Sequence, residues 1–245
     1  MKKLAQWVVG RTRISASPPA TEPFAPETLL FDFDGTLADT FAAGLEILNL
    51  LSQEFGFRKV GANEAQRIRE MSVTQVLDFL GVRKIQLPRI ARRGSEELRR
   101  RIHEIQPFPG MVETMETLHR RGYRLAIVTS NTEDNVLAFL KNHGLEIFEN
   151  IRCSSKLLGK ARVIRSVLRQ MGSARSRVLF IGDEIRDVDA CRRAGVRIAA
   201  VGWGYSGLSA LTALNPDVLL DAPDQLAALL PAPGRAWTAP ALSRP

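Results

Sequence analysis

The sequence predicts an α/β protein built on a doubly wound parallel sheet, with an α-helical segment inserted after the first strand. Three observations lead there. Short apolar runs of strand character occur at 29–33, 125–129, 178–182, 198–201 and 218–220. Segments of helical periodicity separate most of them, and strands that read as continuous apolar runs belong to sheets covered on both faces. Residues 41–106 instead read only as helices, so the alternation is interrupted once.

Taken in order, the first 26 residues carry Lys2, Lys3, Arg11 and Arg13, then Pro18, Pro19, Pro23 and Pro26, and read as a flexible arm. The core begins with the run Leu29–Phe33. The helical insertion follows, with turn signals near Gly56, Gly61, Gly81, Pro88 and Gly94. Pro107-Phe108-Pro109-Gly110 marks the return to the core. Met111–Arg121 is the next helix, followed by the strand Leu125–Thr129 and the helix Asp134–Asn142. In Lys160–Met171, the residues Val163, Ile164, Val167, Leu168 and Met171 fall on one helical face. The strand Val178–Gly182, the helix Val188–Ala194 and the strands Ile198–Val201 and Val218–Leu220 complete the pattern. The resulting division is an arm over 1–26, a core over 27–40 and 107–230, a helical cap over 41–106, and an Ala- and Pro-rich disordered tail over 231–245.

Composition narrows the class further. The chain has 245 residues, 45% hydrophobic and 24% charged, which excludes a wholly disordered chain, a fibrous repeat or a disulfide scaffold. The two cysteines, Cys153 and Cys191, read as reduced, consistent with a cytoplasmic protein. No apolar run approaches the roughly 18 residues of a transmembrane helix. A net charge of +8 suggests anionic partners. Part of it lies between Arg58 and Arg101, where twelve Lys and Arg stand against five Asp and Glu.

The residues carrying chemistry sit where strands end. In Leu29-Leu30-Phe31-Asp32-Phe33-Asp34-Gly35-Thr36, Asp32 and Asp34 are two apart and would project to one side of a strand. Two neighbouring carboxylates repel unless one is protonated or a cation lies between them. Thr129-Ser130-Asn131 places hydroxyl and amide groups suited to phosphate oxygens after the second run. Lys160 opens a helix, where its ammonium and the free backbone amides can face one anion. Gly182-Asp183-Glu184 follows the Val178 run, with Asp187 four residues beyond Asp183. Such features at several strand ends of one sheet point to a ligand site.

Together these residues resemble the ordered motifs of the haloacid-dehalogenase-type phosphohydrolases over about 29–230. Within that family the helical insertion, Gly182-Asp-Glu-Ile-Arg-Asp187, Val201-Gly-Trp-Gly-Tyr205 and Pro216-Asp217 are most similar to phosphoglycolate phosphatases. The resemblance implies a Rossmannoid core with a helical cap. It also implies a Mg²⁺-dependent phosphatase that hydrolyses a small phosphate monoester through an aspartyl-phosphate. Asp32 would be the nucleophile and Asp34 the acid and base. Mg²⁺ would be held by Asp32, the Asp34 backbone carbonyl and Asp183. Thr129, Ser130, Asn131 and Lys160 would hold phosphate, with Asp187 or Glu184 in support behind them. The alternatives are a phosphosugar mutase or other phosphotransferase on this scaffold, or a binding or regulatory protein that kept the fold. A small phosphorylated molecule is the expected partner and nucleic acid is not; nothing in the sequence specifies an oligomeric state.

Two further patterns carry other expectations. Gly202-Trp203-Gly204-Tyr205-Ser206-Gly207 matches a dinucleotide fingerprint but follows a late strand, so Trp203 and Tyr205 are expected to pack a loop beside the site. Lys156 competes with Lys160 for the phosphate-binding role, and Lys160 is preferred because it begins a helix.

Overall fold

A computed structural model describes residues 24–154 and 159–235 of the chain. The strands are β1 (Thr28–Phe31), β2 (Arg124–Thr129), β3 (Asn150–Cys153), β4 (Val178–Gly182), β5 (Arg197–Val201) and β6 (Val218–Leu220). They form one sheet of order β3-β2-β1-β4-β5-β6, and every pairing in it is parallel. The fold class is the expected one.

The apolar runs are continuous because each strand is covered twice. Leu29, Phe31, Leu125, Ile127, Leu179 and Ile181 face one side, where they meet Met111, Met115 and Leu118 of α5 (Met111–Arg120) and Val136, Phe139 and Leu140 of α6 (Glu133–Asn142). Their alternates Leu30, Ala126, Val128, Val178 and Phe180 face the other. There they pack on Ile164, Val167 and Leu168 of α7 (Lys160–Met171) and on Val188 and Cys191 of α8 (Ile185–Ala194). This is the two-residue side-chain period of a strand expressed as two apolar layers. Burying one such side chain contributes about 1.5–3 kcal/mol, so a polar residue inside these runs would cost more than local propensity can offset.

Between β1 and α5 lie four helices: α1 (Phe41–Phe55), α2 (Ala65–Arg69), α3 (Val73–Leu80) and α4 (Leu87–Arg101). They enclose a separate apolar cluster of Ile47, Leu51, Phe55, Phe57, Val60, Ile68, Leu80 and Val82. Ser72 starts α3 with a capping box to Gln75. Pro88 and Gly94, read from the sequence as turn signals, lie inside α4 instead. Pro88 occupies the first turn, where its missing N–H costs nothing. Gly94 faces α1, and a Cβ there would lie 3.8 Å from Leu51. The chain leaves and re-enters the core side by side: Asp39 N–H donates to Gln106 O at 2.9 Å and Phe108 N–H to Leu37 O at 3.3 Å.

The structure departs from the sequence reading in four further places. The first strand ends at Phe31 rather than Phe33, because the Phe33 carbonyl accepts N–H groups from Leu37 and Ala38 and closes a turn. β3 has no apolar run to announce it: an edge strand with a single neighbour tolerates Asn150 and Arg152. Two short helices, α9 (Leu208–Thr212) and α10 (Asp224–Leu229), also went unread. Phe24, inside the stretch read as an arm, is buried in the core with the Arg197 guanidinium 4.4 Å from its ring centre. Residues 1–23 of that arm, residues 236–245 of the tail, and Lys156 lie outside the described residues. Among those described, no helix is long and apolar enough to cross a membrane.

Candidate active site

β1 lies at the centre of the sheet, between β2 and β4, where the strand order reverses. In open parallel sheets ligands bind at the carboxyl ends of the strands beside such a reversal. Asp32 follows β1, Asp183 follows β4 and Thr129 ends β2, so sheet order alone brings together residues far apart in the chain.

Asp32 is 2% exposed. Its N–H continues the ladder to Ile181 O at 2.8 Å, and its Oδ1 accepts from Phe33 N–H at 2.8 Å. Its Oδ2 lies 2.5 Å from Lys160 Nζ, too poorly aligned for a hydrogen bond, so the pair is charge against charge. The same ammonium donates to Asp187 Oδ1 at 2.5 Å. Burial works against the Lys160 cation, but Asp187 and then Asp32 outweigh it and hold it protonated above its ordinary value. Asp187 also ties down the start of α8, its Oδ2 accepting Glu184 N–H at 3.2 Å.

Asp183 is fully buried. Its Oδ1 accepts from the Thr36 hydroxyl at 2.7 Å and its Oδ2 from Tyr205 N–H at 2.6 Å. Two glycines make that enclosure possible. Gly35 has φ +74, and a Cβ on it would overlap Asp183 Oδ2; a Cβ on Gly204 would overlap both Gly35 O and Asp183 Oδ2. Gly204→Ala is therefore expected to cost about 1–3 kcal/mol in a urea unfolding titration, because the backbone on one side and a buried carboxylate on the other cannot yield. An unchanged midpoint would show that the loop is slack.

Asp32, Asp183 and Asp187 each offer a carboxylate oxygen within 4.8 Å of the other two. Burial, followed by the charges of Glu184, Asp32 and Asp187, pushes the Asp183 carboxyl well above the usual range. Burial also raises Asp187 to about 7, with Lys160 pulling the other way. A desolvated cluster with this excess of negative charge is stabilised by a divalent cation, and an all-oxygen donor set suits a hard one such as Mg²⁺. The residues present fit such an ion.

The Asp34 carboxylate lies outside that group of three. Asn131 Nδ2 lies 3.0 Å from both of its oxygens. Burial and then the charge of Asp32 raise it to about 7, against hydrogen bonds from Thr40 and Asn131 that lower it. Asn131 was expected among the phosphate-holding groups, but its side chain is spent elsewhere. Its Nδ2 reaches Asp34, and its Oδ1 accepts from Thr132 N–H at 2.7 Å and Asn135 Nδ2 at 2.9 Å. It orients the second aspartate.

Thr129 is buried, its Oγ1 accepting Asn131 N–H at 3.0 Å. Ser130 Oγ accepts from Arg186 Nη2 at 3.2 Å. Thr129, Ser130, Lys160 and Arg186 line a common recess. Glu184 caps α8 and pairs with Arg186. The loop after β5 covers the site as expected: Trp203 Nε1 donates to Thr36 O at 3.1 Å, and the Tyr205 hydroxyl donates to Thr40 O at 3.2 Å. Helix α2 closes over this loop, with Arg69 donating to the Trp203 and Gly204 carbonyls.

The sequence reading missed Thr36, Thr40, Tyr205 N–H and Arg186. Thr36, Tyr205 and Arg186 lie inside motifs it had already singled out, whereas Thr40 carries no signal beyond its place in the fold.

A family model described as haloacid dehalogenase-like hydrolase matches residues 29–201. A phosphoglycolate phosphatase from Synechococcus elongatus is 31% identical over 201 residues, spanning 82% of this chain and 95% of its own. The pyrophosphatase PpaX of Halalkalibacterium halodurans is 27% identical over 210 residues, spanning 81% and 94%. In fold, the chain matches a solved haloacid dehalogenase-like family hydrolase from Streptococcus pneumoniae with a TM-score of 0.70 at 24% identity, covering 83% of this chain and 97% of that one.

Proposed function

Because the chain belongs to the haloacid dehalogenase-like hydrolase family, we propose that its site is that of a Mg²⁺-dependent phosphatase acting on a small, phosphoglycolate-like monoester through an aspartyl-phosphate. The chain is a phosphoric monoester hydrolase, as the phosphoglycolate phosphatases among its relatives are. The finer reading is carried by one observation: a buried carboxylate, Asp32, paired at 2.5 Å with Lys160 and flanked by Asp183 and Asp187.

Asp32 attacks phosphorus, forming the Asp32 Oδ–P bond as the ester P–O bond breaks. Asp34, held near neutrality by its burial, gives its proton to the leaving oxygen. It then takes a proton from the water that attacks phosphorus, and the Asp32–phosphorus bond breaks to release phosphate. Thr129, Ser130 and Lys160 receive the phosphoryl oxygens. Asp187 holds the Lys160 ammonium in place. Mg²⁺, when held by Asp32, Asp183 and the Asp34 backbone carbonyl, supplies positive charge to the phosphoryl oxygens. Residues 41–106 act as a cap, and their side chains select the leaving group.

The test is phosphate release from a panel containing phosphoglycolate, other monoesters and pyrophosphate, with and without Mg²⁺. Monoester turnover that disappears on chelation is expected, with phosphoglycolate among the best substrates. Calorimetric melting adds an independent readout: Mg²⁺ at a hundred times its Kd should stabilise the fold by about 2.7 kcal/mol. Undiminished turnover in chelator would overturn the metal assignment, and turnover of pyrophosphate alone would overturn the monoester reading.

A further inference from the structure

One cation at the site has no part in the proposed chemistry. Arg186 is the second residue of α8 and lines the same recess as Thr129, Ser130 and Lys160. Its Nη2 donates to Ser130 Oγ at 3.2 Å and to Glu184 Oε1, so both neighbours fix the guanidinium plane. The side chain is 24% exposed, and its buried Nε has no partner.

Local stability does not explain its presence. A positive charge in the first turn of a helix faces the wrong end of the helix dipole. Burial also opposes the charge, although Glu184 and then Asp32 and Asp187 hold it on. An unpartnered buried donor on a charged group is a standing cost that an acceptor would remove. Lys160, the other cation lining the recess among the described residues, already has Asp32 and Asp187 at 2.5 Å. Arg186 pairs with a single carboxylate, Glu184, and keeps donors of its five-hydrogen fork unspent. A tetrahedral dianion in the recess would meet those donors, as guanidinium groups recognise phosphate.

We propose that Arg186 binds the transferred phosphoryl group, as a second cation beside Lys160 in the recess, with Glu184 and Ser130 orienting its fork. This rests on the phosphatase reading and adds a residue that acts on the phosphate common to all substrates, independent of the leaving group.

The experiment is calorimetric binding of inorganic phosphate, in Mg²⁺ buffer, to the wild type, Arg186→Gln and Arg186→Lys, with kcat/KM measured on three or more esters. Arg186→Gln is expected to bind phosphate about 10- to 100-fold more weakly and to lose the same factor in kcat/KM on every ester. Arg186→Lys should recover part of the loss, since an ammonium restores charge without the fork. Wild-type phosphate affinity in Arg186→Gln overturns the proposal, as does a loss confined to some leaving groups. Should Arg186→Gln not fold, the lysine variant carries the test: about tenfold weaker phosphate binding supports the proposal and wild-type binding overturns it. Failure of the phosphatase reading looks different, because the wild type would then turn over no ester while phosphate binding still decides the role of Arg186.

Discussion

Asp32→Asn is expected to lower phosphate release by about 10⁴-fold or more while the protein stays folded. The amide nitrogen and carbonyl of asparagine have the shape of the carboxylate but no comparable nucleophilicity, so the covalent step is lost and binding largely kept. Folding is not at risk for two reasons. Lys160 retains Asp187 as a partner at 2.5 Å. The charges of Asp183, Asp187 and Asp34 each gain from losing a buried negative neighbour. The thermal midpoint in magnesium-free buffer should therefore hold or rise, and a chromatographic or circular-dichroism check separates this from unfolding. Retention of even a few per cent of wild-type turnover would remove Asp32 from the nucleophile's role.

Asp34→Asn should be the next most damaging change, lowering kcat by about 10²–10⁴-fold on alkyl phosphates. The loss should shrink markedly on an aryl phosphate whose leaving group departs without a proton. This contrast isolates acid catalysis from a general disturbance of the site. The pH dependence follows from the same carboxyl, which burial and Asp32 raise to about 7. A general acid must carry its proton, so wild-type hydrolysis of alkyl esters should fall as pH rises through about 7, and the variant should lack that limb. Stability responds in the same direction. The folded state holds a proton that the unfolded chain releases, so this contribution is complete below the ordinary carboxylate value of 3.8 and lost as pH rises through about 7. In magnesium-free buffer at pH 8, Asp34→Asn should be more stable than wild type by about 1–2 kcal/mol, since solvent reaches the half-buried side chain and screens part of the effect. An identical fall in kcat on alkyl and aryl esters would rule out the acid role.

Much of this was legible in the chain. A parallel strand covered on both faces has no polar alternates, so Leu29–Phe31, Leu125–Val128 and Val178–Ile181 announce themselves as unbroken apolar runs. Charged and hydroxyl residues directly after such runs mark the sheet edge where a ligand can sit, which is why Asp32, Thr129 and Asp183 could be named in advance. β3 could not be read, because an edge strand escapes the demand for burial that makes the others visible.

Pattern records where a residue must be buried, and partner choice depends on which strands lie side by side. The order β2-β1-β4 sets Asp183 beside Asp32. The turn closed by the Phe33 carbonyl, rather than strand pleat, places Asp34 near Asp32. Asn135 of α6, donating to Asn131 Oδ1, helps turn the Asn131 amide toward Asp34. The raised Asp34 carboxyl and the half-spent Arg186 fork belong to that second category: desolvation and charge proximity are properties of distances in space, and one-dimensional spacing does not encode them.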